Sequence, residues 1–371
     1  MFKKPRILLS TAQSGFSDYT AGLIYTVGIS ISLHLNTIRM KKNLYMLLTT
    51  LLLNSCSTEI KKEIQPDFCS SIHPDTHPKL SEKLAPFLNQ MQSQTGVFPL
   101  ENGDEAMITR AWLSENAEKT LDIQYFIFSL DNVGLIAVDY LVRAADRGIK
   151  VRILVDDILV EADEEKLLTL ASHQNITIKI YNPVVNIGKT FLQKIKNLTT
   201  DFRGSNQRMH NKTFIVDDRV VITGGRNIAD EYFDYDHEYN FRDRDVLLIG
   251  GVSTDVVRSF NEFWNSPISK DVIAILNPAE YKLNPEERFN QLHQYACDST
   301  NFWPQVREKI KTIPYAFETI QKSGSLQWVG HVEFVSDAPG KNDGTHGLGG
   351  GGNSTTALIK LVQQAKKSII I

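Results

Sequence analysis

Two apolar segments, TLDIQYFIF at residues 120–128 and IKVRILVDD at residues 149–157, indicate the fold class. Each is a continuous run of β-branched, aromatic and other apolar residues, typical of a strand buried on both faces. Between them apolar residues recur at helical spacing over residues 135–145, with Asp131 as a cap and Gly148 as a stop. This order predicts two parallel strands joined by a right-handed helical crossover.

The same pattern continues along the chain. Residues 161–173 predict a second helix, and residues 176–181 predict a third strand. Further on, residues 209–216 alternate as a strand, residues 217–219 supply turn chemistry and residues 220–223 return as the partner strand. Parallel and antiparallel strands together predict an α/β fold with a mixed sheet flanked by helices.

Composition excludes several classes of protein. The 371 residues carry 40 Lys and Arg against 43 Asp and Glu, so the net charge of −3 excludes a globally basic protein that coats nucleic acid. A hydrophobic fraction of 42% is enough for a core and too little for a polytopic membrane protein. Three cysteines, with no C-x-x-C pair, exclude a disulfide scaffold and a zinc knuckle.

The predicted hairpin holds a pair of side chains suited to phosphodiester chemistry. His210 and Lys212 are two residues apart, so on a strand they project from one face. Neutral imidazole is a nucleophile near pH 7, and an ammonium group stabilises phosphoryl oxygens. The pair therefore predicts attack on a phosphodiester with no metal and no cofactor. Asp217 has the opposite parity at the strand end, where we expect it to fix the turn.

Two further polar positions follow the hairpin. Asn227 comes directly after Gly224, Gly225 and an arginine, where its amide is placed to donate to a phosphate. Asp243, close to Asp245, precedes another strand-like run and offers a carboxylate that orients the histidine ring.

These segments resemble a known family. H-N-K-T-F-I-V-D at 210–217, followed by G-G-R-N, resembles the H-x-K-x4-D signature of the phospholipase D superfamily. A broader similarity to the N-terminal half of bacterial cardiolipin synthases extends over residues 101–337, through the segments AEKTLDIQYFIF, AADRGIKVRILVDD, QRMHNKTFIVDD, GGRNIADEYF and FRDRDVLLIG.

The resemblance implies a phospholipase D-like fold and a role for each site residue. It makes His210 the nucleophile or general acid and base, with Lys212 and Asp217 as the other motif positions. It gives Lys212 and Asn227 a phosphate to bind, and Asp243 the task of positioning the histidine. The first-strand residues Gln124 to Phe126 match a structural motif.

The activity implied is transfer of a phosphatidyl group at a membrane, through a histidine intermediate, from an anionic phospholipid such as phosphatidylglycerol. A phosphodiesterase acting on nucleic acid uses the same chemistry, although the net acidity and the lack of an extended basic stripe argue against it. An inactive, truncated, membrane-associated remnant is the third alternative, because the chain has only one motif.

Enzymes of this resemblance carry two such motifs in two similar halves. Here the only other histidine with a lysine two residues on is His77, and Leu84 takes the place of the aspartate. Residues 365–371 nevertheless echo residues 117–123, which predicts a Gly-rich linker at 338–354 and the start of a truncated second lobe at 355–371. A homodimer is the alternative source of a second motif.

The N-terminal part predicts an export signal. MKKNLYMLLTTLLLNSC at 40–56 has the basic, apolar and cysteine order of a lipoprotein signal peptide, with Cys56 as the acylated residue. A conventional signal peptide and an uncleaved anchor remain alternatives. We assign 1–39 as an upstream extension, 57–86 as a polar tether and 87–337 as the phospholipase D-like lobe. The predicted location is the periplasmic side of a bacterial cell envelope, where Cys69 and Cys297 are able to pair if they are close.

Overall fold

The computed structural model describes residues 68, 79–157, 163–184, 187, 207–236, 238–341 and 352–369. The predicted signal peptide with Cys56, and the upstream extension, lie outside these ranges. The strands, numbered along the chain, are β1 Thr95–Leu100, β2 Thr120–Tyr125, β3 Lys150–Asp156, β4 Ile176–Tyr181, β5 Thr213–Val216, β6 Val220–Gly224, β7 Asp245–Gly250, β8 Ser269–Asp271 and β9 Gln327–Val329.

Helices cover both faces of the sheet. They are α1 Leu80–Leu84, α2 Leu88–Ser93, α3 Gly103–Asn116, α4 Asn132–Asp146, α5 Glu164–Ala171, α6 Ser253–Trp264, α7 Val272–Ile275, α8 Pro285–Cys297, α9 Pro304–Ile310, α10 Ala316–Lys322 and α11 Asn353–Gln364. Single 3-10 turns lie at Ala85–Phe87, Asp230–Tyr232, Pro278–Glu280, Ser299–Asn301 and Ile313–Tyr315. No helix within the described ranges has the length and apolar character of a membrane span.

One mixed sheet of nine strands has the order β8-β4-β3-β2-β5-β6-β7-β1-β9. Strands β2, β3 and β4 are parallel, with α4 and α5 as the crossovers, and the other pairs are antiparallel. The predicted mixed α/β fold is therefore confirmed. Asp131 caps α4 as expected, because its carboxylate accepts a hydrogen bond from the Gly134 backbone at 3.0 Å.

The core has two layers because the central strands are buried on both faces. On β3, Ile153 packs with the layer that contains α3 and α4, whereas Leu154 packs with the layer that contains α6. Phe260 and Phe263 of α6 fill the second layer. This alternation places successive side chains in opposite layers, as strand geometry requires.

The predicted polar tether at 57–86 is wrong at its C-terminal end. Leu80 and Leu84 lie four apart on α1, so they share one helical face, and both are fully buried in the core. Phe68 is also buried, with its ring 5.2 Å from that of Phe302. The prolines and polar residues of this stretch suggest a tether, but a few of its apolar residues pack into the core of the lobe.

The C-terminal part also differs from the expectation. Helix α11 begins at Asn353, inside the predicted linker, and residues 365–369 form no strand. The apolar side chains of α11 are exposed, with Leu358 and Leu361 each at 63%. The described residues thus show an amphipathic helix here, and the assignment of 355–371 as a second lobe stays a prediction.

The β5–β6 turn is fixed by Asp217. Asp217 and Asp218 both have positive φ, at 50° and 58°, which suits the tight turn of a hairpin. The Asp217 carboxylate accepts hydrogen bonds from the backbone N–H groups of Glu118, Lys119 and Thr120 at 2.7–2.9 Å. One side chain therefore joins the hairpin to the start of β2.

We expect Asp217→Asn to lower the free energy of unfolding by about 1–3 kcal/mol, because one of the three backbone donors loses its acceptor. The matched control is Asp218→Asn, at the adjacent exposed position with the same backbone conformation. Urea unfolding of both variants provides the measurement. Equal stability of the two variants would contradict the structural role of Asp217.

Candidate active site

His210 and Lys212 lie side by side at the N-terminal end of β5. The Lys212 Nζ atom is 3.3 Å from His210 Nδ1, 3.5 Å from Nε2 and 3.0 Å from the His210 carbonyl oxygen. His210 is exposed, whereas Lys212 is buried at 6% exposure. The imidazole thus faces solvent, with an ammonium group directly behind it.

The strand is shorter than predicted, and this positions the pair. Pairing of β5 with β2 begins at Thr213, so residues 209–212 lie outside the strand. The Met209 backbone N–H donates to the Asp156 carboxylate at 2.8 Å, and Arg208 Nη1 lies 3.0 Å from the same group. The buried end of β3 therefore holds the segment that enters the site.

The electrostatics of the pair follow from its burial. Burial lowers the pKa of Lys212 to about 8, while the carboxylates of Asp243 and Asp245 act in the opposite direction. Partial burial also lowers the pKa of His210, with further lowering by Lys212 and Lys341 and an opposing effect of Asp243. Neutral imidazole and charged ammonium therefore coexist between the lowered pKa of His210 and about pH 8.

Asp243 and Asp245 can approach the site because two neighbouring glycines carry no side chain. A Cβ atom on Gly225 would lie 2.8 Å from Asp243 Cγ, and one on Gly224 would collide with the Arg244 carbonyl oxygen. Asp245 is buried, and its carboxylate lies 2.7 Å from Arg110 Nη2. It also accepts a hydrogen bond from the Arg226 backbone at 3.2 Å.

Of the five predicted site residues, the structure brings together His210, Lys212 and Asp243. Asp217 lies at the other end of β5, where its carboxylate accepts three backbone hydrogen bonds, which is the turn-fixing role expected from its parity and leaves it away from the His210–Lys212 pair although it is the third motif position. Asn227 is buried, and its carbonyl oxygen accepts from the Ile127 backbone at 3.0 Å, while its side chain also hydrogen-bonds Tyr232.

Two residues at the site were missed by the sequence analysis. The Phe126 ring lies 4.7 Å from the His210 ring and 5.5 Å from Lys212 Nζ, although the motif had suggested a purely structural residue. Lys341, in the predicted linker, lowers the pKa of His210 through its positive charge. Its Nζ atom donates a hydrogen bond to the Asp337 carboxylate at 2.8 Å. Nearby, Asn211 donates to Ser336 at 2.7 Å. Only the tertiary fold places residues 336–341 here.

Within the described ranges, no group of three or more His, Cys, Asp or Glu side chains is arranged to hold a metal ion.

Comparisons with known proteins indicate the family that this chain resembles. Residues 113–264 match the family model described as cardiolipin synthase, PLD-like domain. Cardiolipin synthase C of Escherichia coli (strain K12) is 33% identical over 267 residues, which cover 72% of this chain and 54% of the relative. A protein of Helicobacter pylori (strain ATCC 700392 / 26695) is 33% identical over 275 residues, covering 74% and 53%.

The chain therefore spans about half the length of the curated relatives it matches. Among solved structures, a phospholipase D family member, Nuc from Salmonella typhimurium, is similar with a TM-score of 0.31 and 16% identity. That alignment covers 48% of this chain and 96% of the other.

We expect Lys341→Ala to raise the pKa of His210, because it removes a positive charge that disfavours the imidazolium ion. Asp243→Asn should lower the same pKa. A titration of the His210 ring protons by NMR gives both shifts, with Lys322→Ala, on the exposed end of α10, as the control. An unchanged His210 pKa in both site variants would contradict the electrostatic arrangement described.

Proposed function

Because this chain is a member of the phospholipase D superfamily that resembles cardiolipin synthase, we propose that it transfers a phosphatidyl group between phospholipids at a membrane. The observation that carries the proposal is the contact of Lys212 with the imidazole of His210 at 3.3 Å. This contact places a nucleophile beside a positive charge in a site that is open to solvent.

In the proposed reaction, an imidazole nitrogen of His210 attacks phosphorus. A nitrogen–phosphorus bond forms, and the bond from phosphorus to the first alcohol breaks, so a phosphatidyl-histidine results. Lys212 stabilises the negative charge on the phosphoryl oxygens, and Asp243 offsets the cost of its burial. The hydroxyl oxygen of a second phosphatidylglycerol then attacks phosphorus and gives its proton to a base on the side opposite His210, while the nitrogen–phosphorus bond breaks and neutral His210 is released.

The departing alkoxide needs a proton from an acid on the side of phosphorus opposite His210. One extended segment cannot present groups to both sides. We therefore propose that a second motif completes the site, supplied by a second copy of the chain in a two-fold dimer. An inactive chain is the alternative outcome if this second motif is absent.

The rim of the site supports a lipid substrate. Tyr239 and Phe241 are exposed at 57% and 44%, on the loop that leads into Asp243. Their rings contact each other at 5.6 Å, and the Phe241 ring also lies 4.8 Å from that of Tyr232. Exposed aromatic side chains with a polar edge are typical of the interface between a membrane and water.

A disulfide supports the proposed location in the cell envelope. Cys297, at the end of α8, is disulfide-bonded. Disulfides persist in exported proteins and are rare in the reducing cytosol. The predicted lipoprotein signal ending at Cys56 gives the same location and an anchor.

We expect His210→Ala to abolish phosphatidylglycerol turnover, and Lys212→Ala to raise the activation barrier by about 2.7–4 kcal/mol, by analogy with loss of one oxyanion donor. EDTA should leave the rate unchanged, because Lys212 supplies the charge. Product analysis of both variants, with Lys322→Ala as the control, provides the measurement. Turnover that persists in His210→Ala would exclude this mechanism.

We expect specific activity to fall as the protein is diluted, because two copies build one site. Sedimentation of each dilution, alongside the turnover assay, relates activity to the oligomeric state. Full specific activity in a strictly monomeric fraction would overturn the two-copy proposal, while leaving the role of His210 intact.

We expect intact-mass analysis of detergent-extracted protein to show a mature chain beginning at an acylated Cys56. The variant Cys56→Ser should lose its membrane association, because it lacks the lipid. An unmodified N-terminus at Met1 would contradict the proposed acylation and membrane location.

A further inference from the structure

A cleft of about 280 Å³ lies between α4, α5 and α8, and nothing in the proposed reaction uses it. Its walls include five leucines together with Val138 and Phe289. The leucines are Leu130, Leu135, Leu167, Leu170 and Leu292. Such a volume, lined mainly by apolar side chains with a few polar groups, is typical of a site for a small ligand.

The cleft has a buried floor and an open mouth. Val138 and Leu167 on its floor are buried, Phe289 and Leu292 on the α8 side are half-buried, and Lys166 at the mouth is exposed. Four of the residues that line the cleft also line a neighbouring void of about 30 Å³, whose other walls include Ile153 and Val155 of β3.

A cleft remains beside helix α8 because polar contacts, more than core packing, fix the position of this helix. Among its described side chains only Ala296 is fully buried. His293 pairs with Asp139 of α4, and Tyr295 donates to Asn132 at 2.7 Å. Near the other end, Arg288 pairs with Glu165 of α5 at 2.9 Å. The helix is thus held at both ends, with the apolar side chains between them facing the cleft.

The two charged side chains that line the cleft, Lys166 and Arg288, are both cationic. Arg288 is balanced by Glu165, whereas no hydrogen bond or ion pair joins Lys166 to another described residue. An apolar cleft with one uncompensated cation at its mouth complements a molecule with an apolar tail and an anionic end.

The geometry points to a binding site for a single acyl chain that ends in an anionic group, as in a long-chain fatty acid or a lysophospholipid. The chain lies along the leucines with its end toward the inner wall formed by Val138 and Leu167, and the anionic group lies at Lys166. The site is independent of the catalytic pair, since neither His210 nor Lys212 lines it.

Titration calorimetry of the full chain with decanoate, dodecanoate and tetradecanoate, below their micelle concentrations, tests the proposal. Each added methylene should tighten binding about fourfold until the cleft is filled. Lysophosphatidylglycerol with a matched chain distinguishes a phosphate end from a carboxylate end. Saturable binding of either supports the site, and absence of binding by both overturns it.

Two variants locate the site. Leu292→Trp fills a half-buried wall position and should weaken dodecanoate binding at least tenfold. Lys166→Glu should weaken dodecanoate binding several-fold and leave dodecanol binding unchanged, whereas Lys282→Glu, an exposed lysine outside the cleft, should change neither. Binding that is indifferent to both Leu292→Trp and Lys166→Glu would overturn the assignment. His210→Ala should bind dodecanoate normally, so the test does not depend on the proposed catalysis.

Discussion

The buried ammonium group of Lys212 is the constraint on which the site depends. Burial disfavours its charge, and the carboxylates of Asp243 and Asp245 offset that cost. Those carboxylates approach only because Gly224 and Gly225 carry no side chain. Asp245 in turn is held by Arg110 of α3. The helix, the glycine turn and β7 are therefore parts of one electrostatic arrangement centred on the lysine.

Local patterns were enough to predict much of this. The β2-α4-β3 unit follows from apolar runs and a capped helix, which are set within a short stretch of sequence. His210 and Lys212 are in contact as predicted, although β5 begins only at Thr213. Spacing alone therefore located the chemical pair without an accurate strand boundary.

What the sequence could not reveal depends on distant contacts. Lys341 comes near His210 because the segment at Ser336 binds Asn211, which is 125 residues earlier in the chain. Similarly, two leucines of α1 belong to the core although the surrounding composition is that of a tether. The segment after β2 contains both Phe126, which contacts His210, and Leu130, which lines the acyl-chain cleft. This one segment therefore borders both sites.

If His210 forms a covalent bond to phosphorus, the configuration at phosphorus in the product records two displacements. Two successive in-line displacements, one by His210 and one by the acceptor alcohol, return the original configuration. A substrate made chiral at phosphorus with sulfur and oxygen isotopes should therefore give a product with net retention. Net inversion would show a single direct displacement and would exclude a covalent intermediate on His210.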